Sequence, residues 1–176
     1  QWAYVMEVAH SLGIKSTATI MFGHIDDIDS WVNHFSLIKN VQNKTHGFTE
    51  VVPLPFVHMG SPIYLRGKSM PGPTWDEIVL IHSLARIYFV NLIDNIQASW
   101  VKLGHDGAGR LLHAGVNDLG GTLINENISR ASGADHGQET TQDQFIQIIE
   151  SENKNPVLRN TLYTEFIETK NTLEKR

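Results

Sequence analysis

An α/β fold built on parallel strands is what this sequence predicts, and three observations predict it. Short β-branched runs alternate with stretches of helical period over most of the chain. Glycine or proline closes the first two strands. Polar residues gather where strands finish: Gly23-His24, Glu50 ahead of Pro53, Gln97-Ala98-Ser99-Trp100, and Asn117-Asp118. Four strands alternating with helices fit either an open doubly wound sheet or half of a closed (β/α) barrel. The glycine fingerprint of the open sheet, G-x-G-x-x-G after a first strand, is absent. The polar strand ends favour the barrel, which builds its active sites at the C-terminal ends of its strands.

The elements follow in order. Trp2, Val5, Ala9 and Leu12 recur at helical spacing, and Gly13 suits the end of that helix. The helix starts at Gln1 with no earlier partner for its apolar face, so upstream sequence is expected. Thr17 to Phe22 reads as a buried strand ending at Gly23. Asp26 or Asp27 caps a helix whose stripe is Ile28, Trp31, Phe35 and Ile38. Phe48 to Val52 is the second strand, stopped by Pro53 and Pro55, since proline cannot donate to a central ladder. After a long loop to Pro73, Thr74 and Glu77 form a capping box, and Ile78, Ile81, Leu84, Ala85 and Tyr88 line one side of the helix it opens. Asn95 to Val101 is a third strand, followed by a helix after Gly104. Leu112 to Val116 is a fourth, ending at Asn117-Asp118-Leu119-Gly120-Gly121. Helical stretches are expected at 123–131, at 141–151 and from Leu158 to about Lys170, before a charged, frayed end from Asn171. The division this implies is a barrel half over 1–137 and a helical extension over 138–176 packing on it.

With 176 residues, 41% of them apolar and 19% charged, the chain is sized and composed for one globular domain. The net charge of −5 is mild and mixed along the sequence, and no basic stripe interleaved with aromatics points to nucleic acid. No apolar run approaches the ~20 residues of a membrane helix, no signal-peptide pattern is present, and a cytoplasmic location without membrane contact is expected. There is no cysteine, which excludes a disulfide, a thiol nucleophile and a thiolate-held zinc or iron–sulfur site within this stretch. The nine histidines are scattered without ligand spacing, so no metal site is expected here.

Several constellations suit binding. In Gly23-His24-Ile25-Asp26, glycine admits a ligand close to the backbone and His24 can hydrogen-bond a ribose, a carboxylate or a substrate proton; a plain glycine turn with an Asp cap fits equally. The segment from Pro53 to His58 is rigid, offering carbonyls and an aromatic face to a purine, or simply stiffening a rim loop. Asn117-Asp118 on a glycine-flanked loop favours binding, with an ordinary turn as the alternative. Arg66 and Lys68 read as solvated. Asn127, Ser129 and Arg130 form a second polar patch or an exposed helix face, and Gly133 to Gly137, with His136, covers a pocket or is structural. No serine–histidine–acid set or P-loop occurs. The residues alone lead to part of an α/β barrel that binds a small polar molecule.

Longer stretches carry a resemblance. Thr17 to His24 resembles the fifth-strand segment of a branch of radical S-adenosylmethionine (SAM) enzymes. Thr45 to Met59 is similar to the sixth strand and its loop, and Asn95 to Gly104 to the seventh. Gly115 to Leu123, with Asn127 to Ala131 and Gly133 to Gln138, resembles the eighth strand and its sequel, and Asn155 to Tyr163 fits the same branch. The match runs nearly end to end in unbroken order. Within the branch the sequence most resembles the 5-amino-6-(D-ribitylamino)uracil–L-tyrosine 4-hydroxyphenyl transferases of deazaflavin (FO, coenzyme F420) biosynthesis, as the C-terminal half of their radical SAM (β/α) TIM-type barrel.

The resemblance implies a [4Fe–4S] cluster on a C-x-x-x-C-x-x-C loop that reduces SAM to a 5′-deoxyadenosyl radical. That radical leads to cleavage of the Cα–Cβ bond of L-tyrosine and joining of its 4-hydroxybenzyl group to 5-amino-6-(D-ribitylamino)uracil. The product passes to a partner, the deazaflavin-ring-closing radical SAM subunit. It implies SAM contacts at Pro55, Phe56 and Val57, near the adenine. It implies substrate contacts at His24, Glu50, Gln97, Ser99, Asn117 and Asp118, with the ribityl hydroxyls read by neutral amides and an acid. The cluster cysteines belong to the other barrel half, so this polypeptide alone is expected to be inactive and poorly soluble. A fused FO synthase would contain the same stretch. The menaquinone-pathway aminofutalosine synthase and dehypoxanthine futalosine cyclase share the Asn-Asp-Leu-Gly turn, but His46 to Glu50 and Ala134 to Gln138 favour the deazaflavin enzymes. A non-catalytic binding protein descended from a barrel is the alternative of another class.

Overall fold

The computed structural model describes residues 1–123, 131–133 and 139–169. Helix α1 (Trp2–Ser11) ends in a Schellman motif: Gly13 takes φ 79°, its N–H reaches the carbonyl of His10, and the N–H of Ile14 reaches that of Ala9. The expected stripe is rotated. Trp2, Ala3 and Met6 pack on the core with His10, whereas Val5 and Leu12 are exposed. His10 fixes this orientation, because its ring is held between Thr45 Oγ1 (2.7 Å) and Ser16 Oγ (2.8 Å).

Strand β1 (Ser16–Phe22) alternates cleanly, burying Ala18, Ile20 and Phe22 and exposing Thr17, Thr19 and Met21. Asp27 caps α2 (Ile28–Thr45) by accepting from the Ser30 N–H, and Trp31, Phe35, Ile38 and Val41 face inward while Ile28 stays exposed. Strand β2 (Phe48–Pro55) runs parallel to β1, with Thr17 opposite Glu50 and Phe22 opposite Pro55. It therefore passes through both prolines rather than stopping at the first. Val51 accepts from Gln97 N while Phe56 N donates to Phe22, so odd-numbered positions of β2 face away from β1. On that side the neighbouring strand has already ended, and the missing N–H groups of Pro53 and Pro55 leave no ladder bond unmade.

A single turn, α3 (Pro62–Leu65), interrupts the long loop, and the Thr74–Glu77 capping box opens α4 (Trp75–Tyr88) as expected. Ile78, Ile81 and Ala85 are buried; Leu84 lies at the edge of that face. The third strand is shorter than expected. β3 is only Asn95–Ile96, parallel to β2, and α5 (Trp100–Arg110) starts at once, kinked at Gly104 with φ 70° and ψ 176°. Burial of Trp100, whose indole donates to the Gly121 carbonyl, draws the chain out of the sheet. The fourth strand is displaced as well: Leu111–His113 is a 3₁₀ turn, and the parallel pairing is a bridge from Gln97 to Asp118. The guanidinium of Arg86 sets this position by binding the Gly115 carbonyl (2.6 Å) and Asn117 Oδ1 (2.6 Å).

Helix α6 (Gln142–Ser151) has its own capping box from Thr141 and Gln144. The expected terminal helix is instead an antiparallel hairpin of β4 (Val157–Arg159) and β5 (Phe166–Glu168). Asn160 turns the chain, accepting from Thr164 N and donating to Thr164 Oγ1. Most of the 123–131 stretch and the end from Asn171 lie outside the described residues. The result is a mixed α/β fold whose parallel strands follow chain order, β1-β2-β3 and then Asp118. One face packs on α2 and α4 through Phe22, Phe35, Ile38, Ile81, Phe89 and Ile96, each worth ~1.5–3 kcal/mol when fully buried.

Candidate active-site face of the sheet

The other face is polar at its lower end, with Val52, Met21 and Leu54 further along it. Parallel register puts Thr17, Glu50 and Asn95 in one row, and Gln97 and Asp118 follow one step higher. Thr17 Oγ1 donates to the Glu50 carboxylate at 2.6 Å. Asp118 accepts from Gln97 Nε2 (3.0 Å) and Gly120 N (2.6 Å) and holds Arg159 bidentately, the second contact at 2.9 Å. The hydrogen bonds to Asp118 raise the Arg159 pKa further, against the opposing effect of burial. The Arg159 guanidinium lies 4.0 Å from the centre of the Tyr163 ring. The Tyr163 hydroxyl is buried within electrostatic reach of Glu50 but makes no hydrogen bond of normal geometry among the described residues. Burial first, then Glu50 and Asp118, push this phenol far above its ordinary value.

A second group sits at the C-terminal rim, five residues along β1 from Thr17, about 16 Å at ~3.3 Å per residue. His24 Nδ1 lies 2.6 Å from Ile25 N and 3.2 Å from Asp26 Oδ1, and the ring meets the edge of Phe56 at 5.8 Å. Asp26 organises the turn rather than the helix. Burial alone would raise its carboxyl, but hydrogen bonds from the Trp31 indole and from the Gly23 and His24 N–H groups prevail and hold it below the usual range. Gly23, at φ 85°, makes room for protein rather than ligand: a Cβ there would stand 2.4 Å from Pro73 Cδ. Pro55, Phe56 and Val57 line a cleft of about 250 Å³ with His58, Pro73 and Lys102, beside the first turns of α4 and α5. A larger cavity of about 810 Å³ lies between the Asp118 turn, α6 and the hairpin.

The nine residues singled out from sequence thus divide. His24, Pro55, Phe56 and Val57 meet at the rim; Glu50, Gln97 and Asp118 meet lower on the polar face, and Glu50 lies at the start of its strand rather than at its end. Ser99 stands between them at the head of α5, without a capping bond from its side chain. Asn117 points the other way, its amide held by Arg86, Ile96 N and the Asp94 carbonyl. Arg66 and Lys68 are exposed. Asn127, Ser129, Arg130 and His136 lie outside the described residues. Arg159 and Tyr163 had no assigned role; the one signal for them was the Asn155 to Tyr163 stretch. Among the described residues no three His, Asp or Glu are grouped to hold a metal ion.

A family model described as the CofH/MqnC C-terminal region matches residues 45–172, nearly three quarters of the sequence and both groups of polar residues except Thr17, His24 and Asp26. The chain belongs to the CofH/MqnC C-terminal region family. A 5-amino-6-(D-ribitylamino)uracil–L-tyrosine 4-hydroxyphenyl transferase of Methanopyrus kandleri is 50% identical over 163 residues, covering 93% of this chain and 44% of the relative. The enzyme of the same name from Methanocaldococcus jannaschii is 47% identical, covering 93% and 45%. An FO synthase of Mycobacterium leprae is 44% identical over 92% of this chain and 19% of its own length. This CofH/MqnC chain therefore spans less than half the length of the curated relatives it matches.

Proposed function

We propose that these residues form strands five to eight of a radical SAM (β/α) barrel, residues 1–137 as the barrel half and 138–176 as an extension packed on it. In the whole protein this half would serve the transfer of the 4-hydroxybenzyl group of L-tyrosine to 5-amino-6-(D-ribitylamino)uracil. The observation that carries the reading is the polar face: Thr17, Glu50, Gln97 and Asp118 come from successive parallel positions and share the side not covered by helices. An open doubly wound sheet buries both faces, whereas a barrel turns one inward. The names of the relatives supply the substrates and favour this reaction over the futalosine enzymes.

The residues present do not fit an iron–sulfur cluster, since the sequence has no thiolate. They do fit part of SAM. The cleft at Pro55 to Val57 lies just under the ~300 Å³ lower end of drug-sized sites, room for a purine ring but not for the whole cofactor. When bound, SAM would supply the one-electron chemistry that starts tyrosine cleavage. This chain would contribute binding groups: Pro55, Phe56 and Val57 seat the ring, His24 offers its imidazole at the rim, and Gln97 and Ser99 offer neutral groups below it. The ring-closing radical SAM subunit would take the product.

The test uses the full-length protein with its cluster rebuilt anaerobically. Supplied with SAM, reductant, L-tyrosine and the aminouracil, it should form a product heavier by the hydroxybenzyl group, detected by mass spectrometry. The coding sequence upstream of residue 1 should hold C-x-x-x-C-x-x-C. A full-length protein that leaves tyrosine intact, or has no such motif, rules the reading out.

A further inference from the structure

The polar residues on this face differ in what they have left to offer a ligand. Asp118 has nothing. A carboxylate has about four acceptor sites, and this one takes Gln97, Gly120 and two nitrogens of Arg159, with only 8% of its side chain exposed. Gln97 is only half-buried and spends one N–H on Asp118. Its carbonyl oxygen and second N–H make no hydrogen bond among the described residues. The amide's orientation is also decided, because a carboxylate can only accept and so must face the NH₂ group.

Behind Asp118 stands a built support. Arg159 grips the carboxylate with two nitrogens, donates to the Asn160 carbonyl at 3.3 Å and lies over the Tyr163 ring. Tyr163 adopts φ 57°, a backbone region that bulky side chains rarely occupy, locked there by its N–H to the Asn160 carbonyl and by the Asn160–Thr164 pair. Val157, Leu158, Phe166 and Ile167 of the same hairpin are exposed, so Arg159 and Tyr163 are the side chains it sends down to the sheet.

We propose that Gln97 is a specificity-determining residue of this face and that Arg159 is a positioning residue acting on it through Asp118. The class of ligand follows from the chemistry. A fixed amide oxygen with an adjacent N–H complements the neighbouring N–H and C=O of a pyrimidinedione edge, which the aminouracil has and tyrosine lacks. An amino-acid head group calls for a free cation as well as an anion, and although the Glu50 carboxylate lies one row lower, Arg159 is taken up by Asp118. The inference rests on the transferase reading and deepens it.

Binding of the aminouracil and of tyrosine to the full-length protein is measured separately by equilibrium dialysis without reductant, so that nothing turns over. Gln97→Ala and Arg159→Lys, which keeps the charge but loses the fork, should each weaken aminouracil binding about tenfold. Tyrosine binding should stay within about twofold, and the double variant should be no weaker than Gln97→Ala alone, because the two act in series. Wild-type aminouracil affinity in either single variant, losses that multiply in the double, or equal losses for tyrosine overturn the proposal. Should Arg159→Lys fail to fold by circular dichroism, Asp118→Asn takes its place under the same criteria. A wild-type protein that binds neither compound defeats the transferase reading and this inference with it, an outcome distinct from variants that bind normally.

Discussion

On α4, His82 is wholly buried, with Nδ1 2.7 Å from the Ile78 carbonyl and Nε2 without a partner among the described residues. Burial lowers its pKa from 6.5 to about 4, against a smaller opposing effect of that backbone bond. Between those values the unfolded chain binds a proton that the folded one refuses, so stability is complete above pH 6.5 and falls as the pH drops toward 4. The loss amounts to about 3 kcal/mol at ~1.4 kcal/mol per pH unit. His82→Leu should abolish most of this slope and cost little at pH 7, since the orphaned nitrogen, itself a burden of ~1–3 kcal/mol, goes with it. Urea midpoints at pH 4.5 and pH 7 check this; an unchanged difference between them assigns the acid sensitivity elsewhere. Single residues of this kind were only partly legible. His24 and Phe56 announced themselves beside glycine and proline, whereas the partner of Asp118 is an arginine 41 positions away in sequence, which no local spacing reveals.

Elements whose own side chains decide their structure were readable: α2 and α4 carry a buried stripe and a capping residue within one stretch, and α6 a capping box ahead of buried Ile146. Those decided by distant groups were not. Leu158, Leu162 and Phe166 recur at helical spacing, yet a side-chain turn at Asn160 and the pull of Asp118 on Arg159 make a hairpin of them. The fourth strand position likewise belongs to Arg86, which ties the Gly115 and Asp94 carbonyls and Asn117 Oδ1 to one guanidinium. Arg86→Met should release that segment while leaving β1 and β2 paired. Hydrogen exchange at the amides of Ala98 and Asn117, which donate to Asp118 and Ile96, should quicken by about 10-fold to 100-fold, equivalent to ~1.5–3 kcal/mol for a lost charged hydrogen bond. The amides of β1 that pair with β2 should keep their rates. Equal acceleration in both places would make Arg86 a general stabiliser rather than the device that sets Asp118 in line.

At the scale of the molecule, the sheet's two faces are unequally served. Ala18, Ile20 and Phe22 are buried under helices, whereas Thr17, Thr19 and Met21 on the same strand are exposed, Met21 by 47%. Among the described residues β1 pairs with β2 alone, so Thr17, Thr19 and Met21 turn their backbone groups to an open edge, where His34 Nε2 meets the Thr19 carbonyl at 2.9 Å. Tyr4, Val5, Val8 and Leu12 of the neighbouring α1 are exposed too. An apolar helix face beside an open strand edge is what a barrel shows where it has been divided, and it is a template for self-association. The 176-residue chain on its own should therefore form oligomers that grow with concentration, seen by light scattering, and show no transferase turnover. Co-expression with the upstream half should give a one-to-one complex that scatters as a single species. Thr19→Lys, a charge on the exposed side of β1, should improve solubility of the isolated chain yet impair that complex, because the proposed barrel turns this face inward. An isolated chain that stays monomeric at high concentration, together with a Thr19→Lys complex that assembles normally, would mean that this face never meets another half, and the barrel would have to be given up in favour of an open sheet.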